Sequence, residues 1–274
     1  MNKSQEDIEI IVILEGYWPP VENIVDDKRV YYIHFPEPRG MRKAINAGAD
    51  LARGEYILKT DAHCMFKEGF DKDLKADCAD NMVVVPRRLR LDPEKWETIP
   101  GKPPVDYMYL SYPSDPSVWG GPSLQGKEWV EKNKEILSGD SKLIDDLMTA
   151  QGSCWFMKRK YFDFLELMDD ENYGEFGKEM QEIGLKCWLS GGRMVVNKKT
   201  WYAHWHKTKD DGRGYSLSKS EFLKASEYTK RWLTERRVWH KQNKDFEYLI
   251  NYFWPIPGWP EDWKSYENES RAVK

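Results

Sequence analysis

Residues 8–14 read IEIIVIL, a nearly continuous apolar run rich in β-branched side chains, and no other feature narrows the fold as far. Strands covered on both faces have this composition, whereas strands wet on one face alternate. A second short strand, VYYIH at residues 30–34, precedes the turn PEPRG at 36–40. Residues 41–53 then read as a helix closed by Gly54, and YILKT at 56–60 follows at once. Strand, helix and strand joined by short connections make a βαβ unit, and repeated units build a doubly wound sheet.

The pattern continues with a helix near 71–79 and the buried strand MVVV at 82–85. From 87 to 141 it breaks into Pro, Gly, Trp and Tyr with little periodicity, which marks a long substrate loop. Regular structure resumes at 142–148. A strand at 153–157, helices at 160–168 and 179–190, and a strand at 193–197 follow, the second helix ending at Gly191-Gly192. These elements predict an α/β domain over 1–206, a mostly parallel sheet flanked by helices. Residues 207–274 are expected to add a glycine-containing lid segment, a helix over 218–241 and an aromatic tail, FWPIPGWPEDW.

Several function classes are disfavoured. Lys+Arg number 42 against Asp+Glu 46, so no global field draws the chain to nucleic acid. No run approaches the roughly 18 apolar residues of a membrane span. The start, MNKSQEDIEI, has no apolar leader core, and Cys64, Cys78, Cys154 and Cys187 form no C-x-x-C pair. Both features suit a reducing cytoplasm. Thirteen tryptophans are unusual; flat amphipathic rings suit sugars, and equally a core or interface.

Asp61-Ala62-His63 directly follows the strand at 56–60, at the strand end where open parallel sheets meet ligands. Residues two apart on an extended segment point the same way, so one carboxylate and one imidazole can grip a divalent ion. A second pair, His204 and His206, follows a later strand; with only five histidines in the chain, one of them is the natural third ligand. Glu179 and Glu182 share a helix face and can present carboxylates to a cleft, or simply complement the helix dipole. Arg39 and Arg42 stand at a helix start, where cations oppose the dipole unless an anion such as a diphosphate binds nearby.

Together these residues resemble a glycosyltransferase of the GT-A type. The stretch PEPRGMRKAINAGADLARGEYILKTDAHC is similar to the family 2 pattern that leads to an Asp-x-Asp metal motif. Its D-x-H ending instead resembles the polypeptide N-acetylgalactosaminyltransferases, as do QGSCWFMKRKYF and EMQEIGLKCWLSGG. The resemblance spans about residues 7–206. It implies a divalent ion, manganese in that family, held by Asp61, His63 and His204, with His206 in reserve. It implies a nucleotide-sugar donor, most often a UDP-sugar, bound by Glu15, Arg39, Arg42, Asp61, Gln151, Gly152 and Trp155, and a hydroxyl acceptor. The base of inverting relatives aligns with Met180, which leaves Glu179, with Glu182 beside it, as the catalytic carboxylates; a retaining enzyme would need none. The family also implies a first strand and helix ahead of residues 8–14, which this chain starts too late to contain. An inactive relative serving as a glycan-binding module is the rival expectation, and a metal hydrolase a weaker one.

Overall fold

A computed structural model describes residues 3–113, 124–135, 142–207 and 219–265. The strands are β1 (Ile10–Glu15), β2 (Val30–Phe35), β3 (Tyr56–Thr60), β4 (Cys64–Phe66), β5 (Met82–Asp92), β6 (Glu97–Thr98), β7 (Met108–Leu110), β8 (Gly126–Glu128), β9 (Ile144–Asp146), β10 (Cys154–Lys158) and β11 (Arg193–His204). The helices are α1 (Met41–Leu51), α2 (Phe70–Ala76), α3 (Val130–Glu135), α4 (Arg159–Phe164), α5 (Asp170–Tyr173), α6 (Glu179–Leu189), α7 (Lys219–Thr234) and α8 (Phe246–Phe253), with a short 3₁₀ turn at Val21–Asn23.

The central sheet has the order β3-β10-β5-β11-β4, with β6 on β5 and β9 on β11. It is mixed, which corrects the expectation of a mostly parallel sheet: β5 and β11 are parallel, but β10 runs against both β3 and β5. The cause is where β10 begins. Asp61 N, just past the end of β3, donates to Ser153 O at 3.0 Å, so β10 enters at that end and can only run back. A continuous apolar run reports two covered faces and carries no information on direction.

Strands β1 and β2 form a separate parallel pair, in register from Ile10 with Val30 to Glu15 with Phe35. Both are half-buried. The outer edges of β1 and β3 have no ladder partner among the described residues. The pair is tied to the main body through side chains. Glu9 Oε1 accepts from Arg53 N at 2.6 Å and Gly54 N at 3.0 Å, while Ile13 Cδ1 lies 3.4 Å from where a Cβ on Gly48 of α1 would sit.

Helix α6 is buried along its whole length. The two glycines after it are needed: Gly191 takes φ +86°, and a Cβ on Gly192 would fall 1.9 Å from Tyr161 Oη. The interval expected to be one long loop is partly regular, because β5 continues to Asp92 and turns into β6, and β7 pairs with β8 before α3. Helix α7 ends at Thr234, earlier than the expected 241. Most of the aromatic tail is core: Phe253, Trp259 and Trp263 share one apolar cluster with Trp155, Trp188, Trp232, Trp239 and Phe246. Two of the indoles also hydrogen-bond, Trp232 Nε1 donating to Tyr173 Oη at 2.9 Å and Trp259 Nε1 to Leu110 O at 2.7 Å. Each such ring contributes about 1.5–3 kcal/mol by burial. The lid expected at 207–216 lies, apart from Lys207, outside the described residues.

Candidate metal centre and donor site

Two strands bring the triad together. Asp61 and His63 occupy the turn between β3 and β4, and β4 pairs antiparallel with β11 so that Cys64 lies opposite His204. Trp205 N donates to His63 O at 3.2 Å, continuing that alignment by one residue. The ligand atoms of Asp61, His63 and His204 all lie within 4.8 Å of one another. His204 Nε2 is 3.0 Å from His63 Nε2 and 3.4 Å from Asp61 Oδ2, while His63 Nε2 is 3.9 Å from the same oxygen. One carboxylate and two imidazoles suit manganese, zinc or iron. His206 is exposed and contacts Gln151 Nε2 through Nδ1 at 3.4 Å, so His204 is the third member.

The Asp61 carboxylate is held ionised. Burial works against the Asp61 carboxylate, but His204 and Lys59 outweigh it and hold its pKa at about 2. Burial, with His204 alongside, lowers the His63 pKa and so favours the neutral imidazole that a metal requires. His204 is buried, and its Nδ1 has no hydrogen-bond partner among the described residues.

A second group of side chains lies behind the triad. Lys59 and Trp155 face each other in the β3–β10 ladder and therefore project to the same side. Both reach Glu179, the first residue of α6: Trp155 Nε1 donates to Oε1 at 2.6 Å and Lys59 Nζ lies 3.4 Å from Oε2. Lys59 also donates to Asp61 Oδ1 at 2.8 Å and Gly152 O at 2.6 Å. Burial opposes its charge, but Glu179 and Asp61 prevail and raise its pKa. For Glu179 burial prevails and the pKa is raised, against the pull of Lys59. Gly152 has to be glycine here, since a Cβ would sit 2.4 Å from Glu179 Oε2.

Other expected site residues stand elsewhere. Arg42 and Glu182 form a fully buried ion pair. Arg42 Nη2 also donates to Gly177 O at 2.7 Å, and Glu182 Oε1 accepts from Asp169 N and from Lys186 Nζ, each at 2.9 Å. Neither the expected donor contact of Arg42 nor the expected catalytic part of Glu182 fits this placement, because both side chains are sealed in the core joining α1 to α6. Trp155 is likewise fully buried and reaches the site only through Glu179. Glu15 Oε1 accepts from Arg39 N at 2.9 Å at the end of β1, and the exposed Arg39 guanidinium lies over the Phe35 ring at 4.3 Å. Gln151 accepts from Arg88. Lys59 is the residue that sequence reasoning missed; a lysine interrupting an apolar strand two positions before Asp61 was its signal.

A mixed α/β sheet flanked by helices, with this triad at its strand ends, defines a GT-A-like fold. The family model for glycosyl transferase family 2 matches residues 1–165, and the chain belongs to that family. It is 23% identical over 263 residues to polypeptide N-acetylgalactosaminyltransferase 12 of Mus musculus, an alignment covering 85% of this chain and 43% of the relative. The chain spans less than half the length of the curated relatives it matches. Among solved structures, GalNAc-T7 with UDP, GalNAc and Mn2+ shares the fold at TM-score 0.64 and 16% identity, over 89% of this chain and 50% of the other. S. aureus TarS 1-349 in complex with UDP-GlcNAc gives 0.52 at 14% identity, over 87% and 62%. No helix among the described residues is long and apolar enough to cross a membrane.

Proposed function

We propose that the chain is a metal-dependent glycosyltransferase that moves a sugar from a nucleoside-diphosphate sugar, a UDP-sugar, to a hydroxyl acceptor, with Mn2+ as the ion. The observation that carries this reading is the Asp61–His63–His204 triad in a family 2 chain, whose ligand atoms lie within 4.8 Å of one another. GalNAc-T7, which shares the fold, is described with UDP, GalNAc and Mn2+. When bound, the ion would neutralise charge building on the leaving diphosphate. Asp61, His63 and His204 would hold it. Glu15 and Arg39, at the end of β1, stand on the nucleoside side. Gln151 and Gly152 shape the sugar site above Glu179.

The placement of Glu179 and Glu182 supports one stereochemical outcome over the other. Glu179 is buried and engaged by Trp155 and Lys59, and Glu182 is sealed in its ion pair, which leaves neither free to take a proton from an acceptor hydroxyl. Transfer with retention of configuration is the reading that needs no such base. Proton NMR of the first-formed product would give the anomeric configuration of the donor; inversion would rule out this part of the reading. The four cysteines are unpaired, which favours a reducing compartment such as the cytoplasm.

The direct test is calorimetric titration of UDP into metal-stripped protein, with and without Mn2+, repeated with Asp61→Ala. Micromolar binding that requires both the ion and Asp61 is expected. Binding indifferent to both would refute the donor site.

A further inference from the structure

Within the proposed transferase reading, we infer that Lys59 is the positioning residue that makes the metal triad depend on the donor: it holds one oxygen of Asp61 and offsets its charge. The two oxygens of Asp61 are divided between two neighbours. Oδ1 is held by Lys59 Nζ at 2.8 Å, and Oδ2 faces His204 Nε2 at 3.4 Å and His63 Nε2 at 3.9 Å. The ammonium group cannot swing away, because Gly152 O accepts from it at 2.6 Å and Glu179 Oε2 lies 3.4 Å beyond. Its side chain is 15% exposed, so solvent screens it little. Asp61 is thereby fixed with a single oxygen toward the histidines, and an ion there meets one partly neutralised carboxylate and two imidazoles.

The consequence is a weak site that becomes strong when an anion completes it. A divalent ion is repelled by the ammonium on the far side of the shared carboxylate, and this acts at short range in a poorly screened setting. A diphosphate would restore the missing negative charge. Ion and nucleotide then strengthen each other's binding, and by linkage the factor is the same whichever binds first.

The experiment measures Mn2+ binding to the whole chain by calorimetry, with free Mn2+ followed by electron paramagnetic resonance, in the absence and presence of UDP. Lys59→Met keeps the length and removes the charge. It should bind Mn2+ alone at least about tenfold more tightly than the unaltered protein, and the strengthening caused by UDP should shrink by a similar factor. Lys59→Arg should keep the weak binding. A purely structural lysine would give the opposite result, since its loss would loosen the site. Because Lys59→Met leaves Glu179 without its cation, Lys59→Met with Glu179→Gln is compared with Glu179→Gln alone, and the same tightening is expected. Unchanged or weaker Mn2+ binding in both folded pairs overturns the role of Lys59 and leaves the transferase reading standing. Absence of Mn2+ binding in the unaltered protein even with UDP overturns both.

Discussion

Replacing His204 by alanine removes the one triad imidazole that is buried, with its Nε2 3.0 Å from His63. The chain there is held by the β11 ladders on both sides, so the backbone has no reason to move. The expected outcome is loss of Mn2+-dependent UDP binding by calorimetry with an unchanged circular dichroism spectrum; His206→Ala should bind as before. Retained binding in His204→Ala would remove it from the ligand set. The triad was legible in the sequence because its members lie at strand ends, histidines are few, and the family resemblance singles out His204 over His206. Lys59 was not, since a lysine inside an apolar strand looks like an edge residue until a partner 120 positions away is known.

At the scale of elements, α1 and α6 are locked by Arg42, Glu182 and Lys186, all buried. Burial alone would raise the Glu182 pKa, but Arg42 and Lys186 outweigh it and the pKa is lowered. A carboxylate depressed in this way adds stability that is complete above its unfolded value of about 4.3 and is lost as pH falls through the lower folded value. Glu182→Gln strands two buried cations and should cost about 3–5 kcal/mol. Thermal melts at pH 7 should show this as a drop of roughly 6–20 °C, narrowing as the pH is taken below about 4. No change at pH 7 would mean the trio is not load-sharing as described. Pairings of this kind escape a sequence reading: Glu182 had a local explanation in its helix dipole and Arg42 in an expected anion, and their meeting depends on how two helices pack. The direction of β10 escaped for a related reason, because a run buried on both faces reads the same in strands of either sense. By contrast β1, α1, β3 and α6 were recognisable, since each carries its own period or its own punctuation at Gly40, Gly54 and Gly191.

For the whole molecule, the apolar cluster that runs from Val83 and Trp155 to Trp259 and Trp263 makes the C-terminal region part of the same body as the sheet. Composition changes at 207, yet the packing is continuous across it, and of the two readings open for the tryptophans, sugar surface or core, most of the described ones take the second. The exception to this continuity is the β1–β2 pair, which the main sheet does not continue. An isolated two-stranded ladder is marginal in water, so among the described residues its hydrogen bonds rest on α1, on Glu9 and on Arg53, which donates to Tyr31 Oη at 2.7 Å. In hydrogen–deuterium exchange, amides of Val12 and Ile33 should exchange well before those of Val84 and Val195, at a free energy of opening below that of global unfolding. Equal protection would show one cooperative unit. Glu15 and Arg39 stand on this softer part and the triad on the harder, so nucleotide spanning the two would act as a splint and slow exchange in β1 and β2 far more than in β5 and β11.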